Sequence, residues 1–161
     1  MFLPHTKVFK DIRQEAIDDI SKIAVEEMHG KGTMLFSAGS QAKDFYILVD
    51  GTVGLTIGNE ATAHYTVSEI GESFGWSSLV GRDFYSANAE CLEPTKVIRI
   101  GSAELEKVFD AHARSGRVFY RRLAEALGQR WLDAHGAFMS ELERDRDVSY
   151  GTGRIAITEE D

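Results

Sequence analysis

From Gly71 to Ala89 the chain reads Gly-Glu-Ser-Phe-Gly-Trp-Ser-Ser-Leu-Val-Gly-Arg-Asp-Phe-Tyr-Ser-Ala-Asn-Ala, the stretch most suited to holding a small ligand. Gly71 and Gly75 permit positive φ and close approach of the backbone to a bound molecule. A brief helical turn starting near Trp76 would point free N–H groups outward, and such groups attract anions, phosphate above all. Ser77, Ser78 and Ser86 add small hydroxyls, and Arg82 and Tyr85 add a cation and a phenol within reach of an anion. Each residue also has a plainer role. Trp76 can stack on a flat ligand or pack into the pocket as a plug, and packing is the favoured reading. Tyr85 can simply pack on Trp76. Arg82, beside Gly81 and Asp83, reads first as a solvated loop residue, and the glycines serve tight turns whether or not anything binds.

The surrounding elements fall into three parts. Asp11 to Met28 has Ile12, Ala16, Ile20, Ile23 and Ala24 at helical spacing, ended by His29-Gly30-Lys31-Gly32. From Thr33 to Ile100 short apolar runs alternate with turn residues about every ten positions, the texture of a β-sandwich or barrel. These runs are Met34–Phe36, Phe45–Val49, Thr52–Ile57, His64–Val67, Ala87–Cys91 and Lys96–Ile100. Asp50-Gly51 predicts a hairpin, and Gly58-Asn59-Glu60 a second turn. After Ile100, Ser102 can cap a short helix bearing Leu105, Val108 and Phe109 on one face, with a break at Ser115-Gly116. A long helix follows from about Arg117 to Arg146, in which Tyr120, Ala124, Leu127, Trp131, Ala134 and Phe138 step by four and three, a heptad seam.

A helix, a glycine-punctuated β-roll, a short helix and a long helix together resemble the cyclic-nucleotide-binding domain, the effector domain of catabolite-activator-like regulators. Lys31 to Ser40 is similar to one glycine-bounded segment of that family, and Asp44 to Val53 to its most recognisable hairpin. Gly71 to Ala87 resembles its phosphate-binding cassette, and Lys96 to Ile100 its final strand. The resemblance covers about Phe9 to Leu142. It implies a mainly β fold with flanking helices: a double-stranded β-helix, or jelly roll, with an N-terminal helix, a short helix and a long C-terminal helix. It implies one domain over 1–148, divided as 1–30 helical, 31–100 β-roll and 101–148 helical, with 149–161 as a flexible tail. In the family a Glu follows Phe-Gly and bonds the ribose, and an Arg before Ser-Ala pairs with the cyclic phosphate. Here those positions hold Trp76 and Tyr85, while Ser86 fits the hydroxyl position. Each lost charge-assisted bond is worth about 1.5–3 kcal/mol, so ordinary cyclic AMP or cyclic GMP binding is expected to be absent or very weak. Arg82 is the substitute phosphate partner to consider, and a nucleotide-like or other small anionic ligand stays open.

The jelly-roll character invites comparison with cupin enzymes, whose metal site needs a His-x-His pair, a Glu and a distant His. His5, His29, His64, His112 and His135 are isolated singles, so no metal site is expected. Cys91 reads as a small core residue, and Ser77 and Ser78 lie in no Gly-x-Ser-x-Gly elbow. No catalytic residue is expected. The net charge of -8 argues against a general nucleic-acid binder. No run approaches membrane-spanning length, and one cysteine makes no intrachain disulfide, which together fit a cytoplasmic protein. In the resembling family long helices pair into parallel dimers, which would place Tyr120, Leu127, Trp131 and Phe138 in an interface; the short stretch after the helix predicts no DNA binding by this chain on its own. The leading expectation is a stand-alone regulatory, ligand-sensing module. The alternatives are a structural or protein-interaction dimer with a filled pocket and, third, a cupin-like enzyme.

Overall fold

A computed structural model describes residues 3–57, 65–142, 147–151 and 154–158, with side chains described as far as residue 136. The chain divides into two compact units, Met1–Arg122 and Leu123–Asp161.

The first unit opens with two 3-10 turns, Leu3–His5 and Lys7–Phe9, and helix α1, Gln14–Ile23. Strands follow: β1 (Ala24–His29), β2 (Met34–Phe36), β3 (Asp44–Asp50), β4 (Val53–Thr56), β5 (Tyr65–Val67) and β6 (Ser73–Phe74). A 3-10 turn at Ser77–Val80 leads to β7 (Asn88–Cys91) and β8 (Thr95–Gly101), then α2 (Ser102–Ala111) and α3 (Ala113–Leu142). The second unit takes in the later part of α3 and an antiparallel pair, β9 (Asp147–Gly151) and β10 (Arg154–Thr158). Residues 149–161, expected as a tail, include most of that pair.

Two four-stranded sheets make the roll, in the orders β1-β8-β3-β6 and β2-β7-β4-β5. The pairings are antiparallel. Alternation along β3 explains how the roll is held. Tyr46 and Leu48 point between the sheets with Phe36, Val53, Val67, Phe74, Tyr85, Ala89 and Val97. Phe45, on the other face, meets Phe119 of α3 edge-on at 5.7 Å. Phe119 is fully buried and also lies 5.2 Å from Phe9 and 4.9 Å from Phe109, so the N-terminal segment, α2 and the start of α3 gather on one ring. The fold class is the one the sequence implied: a β-roll flanked by a helix before it and a short and a long helix after it.

Several boundaries differ from expectation. The first helix stops at Ile23, not Met28, because Ala24–His29 pairs as an edge strand with Ile100–Thr95. Its glutamates find bases there: Glu26 meets Lys96 at 2.8 Å and Glu27 meets Arg99 at 2.7 Å. Helical spacing was outweighed by this tertiary pairing. Asp50-Gly51 does turn the chain, with Gly51 at φ +91, but β3 and β4 lie in different sheets, so the turn is a crossing rather than a hairpin. Its Cβ position is closed by Pro94 and Thr95, which only glycine tolerates. Gly58-Asn59-Glu60 lies outside the described residues. The break between the last helices falls at His112, and Ser115-Gly116 is inside α3, where bare Gly116 lets the helix lie against Phe109. Ser102 is the first residue of α2 rather than its cap, which is Gly101.

Candidate functional site

The segment Gly71–Ala87 crosses from one sheet to the other. Gly71 donates its N–H to the Leu48 carbonyl at 2.8 Å, and Leu48 donates to Glu72, which ties the segment to β3 before β6 begins. After Phe74, Gly75 takes φ +70 and sits directly against the rings of Tyr46 and Phe36. Trp76 is half-buried and heads the turn Ser77–Val80, which Gly81 closes in the left-handed region. Ser77 is buried. Ser78 is half-buried, and its hydroxyl bonds that of Ser102 at the start of α2. Arg82 and Ser86 are exposed.

Tyr85 is 5% exposed, and its hydroxyl does two things at once. It accepts from the Asp44 backbone N–H at 3.0 Å and donates to the Asp44 carbonyl at 2.8 Å. Its ring stacks on Phe36 with centroids 3.9 Å apart and planes within 12°. The ring partner is therefore Phe36; no ring stacked on Trp76 is found among the described residues. Phe74 stacks on Tyr46 at 5.3 Å, and Phe36 touches both of these rings. Four aromatic rings thus occupy the space between the sheets beside Gly75. Burial pushes the Tyr85 phenol up, and burial together with Tyr85 and Asp44 pushes Tyr46 well above the usual phenol range. Both hydroxyls are neutral at physiological pH and offer no charge to an anion.

Beside the rings runs a polar chain that sequence reasoning missed. Arg99 of β8 donates through Nε to Glu27 and through Nη1 to Asp44, at 2.7 and 3.0 Å, and His29 lies 3.0 Å from the other oxygen of Glu27. Hydrogen bonds donated to Glu27 and Asp44 hold the Arg99 guanidinium even higher than usual. Burial works to raise the Glu27 carboxyl, but Arg99 and His29 outweigh it and keep the group below its usual range. No local motif marks these residues, because their partners come from three strands. A cleft of about 690 Å³ opens outside the roll, where Lys43, Asp44, Ser78, Arg99, Ser102 and Glu104 meet. It carries both signs of charge and does not reach Gly75, whose neighbourhood is ring-filled.

Cys91 is fully buried in β7, and burial raises its thiol, which makes it unreactive. Among the described residues no three His, Cys, Asp or Glu side chains group as metal ligands. No described helix is long and apolar enough to cross a membrane. On α3, Tyr120 and Leu127 are half-buried, Trp131 is 48% exposed and its neighbour Leu132 is 55% exposed. The Phe138 side chain lies outside the described residues.

Residues 27–112 match the family model of the cyclic nucleotide-binding domain. Among solved structures, a protein from Geobacter metallireducens designated a cyclic nucleotide-binding protein is 26% identical; the match covers 80% of this chain and 95% of that one, with a TM-score of 0.72. The Thermus thermophilus catabolite activator protein shares the fold at 20% identity, over 86% of this chain and 63% of that one, with a TM-score of 0.66. A cGMP-dependent protein kinase of Drosophila melanogaster is 28% identical over 93 residues, which is 56% of this chain and 10% of the kinase.

Proposed function

Since the chain belongs to the cyclic nucleotide-binding domain family, we propose that it is a regulatory, ligand-sensing module whose interior does not take cyclic AMP or cyclic GMP in the family's usual way. The observation that carries this reading is Tyr85. It stands where the resemblance puts the phosphate-pairing arginine, its hydroxyl is spent on Asp44, and its ring is stacked on Phe36. Trp76, in place of the ribose-binding glutamate, removes the second anchor. The test is isothermal calorimetry with each cyclic nucleotide: affinity no better than millimolar is expected, and micromolar affinity for either overturns the reading.

A second reading, in which the domain is a non-enzymatic interaction module that pairs with its own copy along α3, is supported by the exposure of Trp131 and Leu132. Tyr120, Leu127, Trp131 and Phe138 are its interface residues. The two readings separate in a thermal-shift screen of nucleotides and small anions, because a ligand that binds only the folded chain raises its melting temperature by mass action. In either case the negative charge and the single cysteine suit a cytoplasmic location.

A further inference from the structure

The cleft of about 690 Å³ outside the roll is assembled from parts that other contacts already hold in place. Arg99 of β8 donates through Nε to Glu27 and through Nη1 to Asp44, which fixes its guanidinium. Its Nη2 makes no hydrogen bond among the described residues, and the side chain is 34% exposed. Lys43 is exposed, and its carbonyl accepts from the Ser102 N–H at 2.8 Å, which pins it beside the start of α2. Glu104, in the first turn of α2, folds its carboxylate against Gly101, and Gly101 lies opposite Asp44 in the β3–β8 register. Glu106 brings a second acid from α2 to the same cleft. Lys43, Glu104 and Glu106 enter no ion pair among the described residues. Ser78 of the Ser77–Val80 turn and Ser102 of α2 share a hydrogen bond and line the cleft as well. An anion entering this space meets Asp44, Glu104 and Glu106, and a cation meets Lys43 and Arg99. Like charges brought together are costly, so a ligand of one sign is disfavoured. A molecule with both signs a short distance apart matches both sets of groups, and the volume is that of a small-molecule site.

We propose that this cleft binds a small zwitterion of the α-amino acid class, its carboxylate on Lys43 and the unused Nη2 of Arg99, its ammonium on Glu104 and Glu106. A guanidinium held by two carboxylates is a preorganised donor to a third. Ser78 and Ser102 add hydroxyls that can donate to the carboxylate, and Ile23 and Ala42 give the ligand's side chain an apolar wall. The charged groups face solvent, so each bond is worth little and the affinity is modest. The site lies apart from the roll's interior and stands whether or not a cyclic nucleotide binds there. The test is an NMR titration of the nitrogen-labelled full chain with glycine, L-glutamine and L-leucine. Propionate and propylammonium, which carry one charge each, are the controls. The amino acids should give saturable shifts at the amides of Lys43, Ser78, Arg99, Ser102 and Glu104, and the controls should bind several-fold more weakly. Lys43→Gln and Glu104→Gln, both at exposed positions, should each weaken amino-acid binding several-fold while the melting temperature stays unchanged. Absence of saturable shifts with all three amino acids overturns the site. An equal response to either control overturns it too, as does binding that survives in the double variant.

Discussion

In the proposed reading Tyr85 stands at the position of a charge anchor, and its neutral phenol bonds strand β3. Tyr85→Phe keeps the ring on Phe36 but strands the Asp44 N–H, and should cost about 1–3 kcal/mol of unfolding free energy in denaturant titrations. Restoring the lost anchors should act on binding. Trp76→Glu with Tyr85→Arg is expected to gain calorimetrically measurable cyclic-nucleotide binding, while Trp76→Ala alone gains none. An equal gain in Trp76→Ala would make steric exclusion the whole effect. A double variant without gain would assign the block to Phe36 and Tyr46, which press on Gly75. The offsets of Trp76 from Phe74-Gly75 and of Tyr85 from Ser86 were legible in the sequence, and that the two residues replace binding anchors belongs to the proposed reading. The partners of Tyr85 were not legible, because Phe36 and Asp44 are brought to it only by the winding of the two sheets.

Among the elements, strands with short apolar runs and helices with an apolar face were readable, and the joints between them were not. β3 and β8 could be located from their apolar runs. β1 could not, because Ala24–His29 has no strand pattern of its own and becomes a strand only beside β8. The Asp50-Gly51 turn was visible, but the sheet its second strand joins is decided by Cys91 and Val67, far along the chain. The His112 break has no glycine or proline to mark it. Two predictions belong here. Phe119→Ala removes the ring on which the N-terminal segment, β3 and α2 converge, and should cost about 3–5 kcal/mol in denaturant midpoint experiments. Glu27, lowered when folded, stabilises the β1 edge above its unfolded titration range and loses that contribution as pH falls. Glu27→Gln should accordingly flatten the loss of stability below about pH 5, measured as urea midpoint against pH.

For the whole molecule, pairing along α3 makes a direct prediction. Leu127→Glu with Trp131→Glu should leave only monomer by light scattering if copies pair there, since carboxylates at a seam are costly to bury. A chain already monomeric at high micromolar concentration would remove the dimer reading. The strand orders carry a different consequence, for synthesis. In each sheet the strand beside the first-made edge is the last of its sheet to be made: β8 lies between β1 and β3, and β7 between β2 and β4. β1 and β2 have no other strand partner among the described residues. A ribosome that has delivered the chain as far as Phe74 has therefore produced β1 to β6, of which β1 and β2 still wait for β8 and β7. Such pairings between distant segments form slowly, and the waiting strands expose apolar surface. Nascent chains stalled before Gly101 has left the exit tunnel should be cut readily by protease and held by chaperones, and protection should arrive abruptly once residues 88–101 are free to insert.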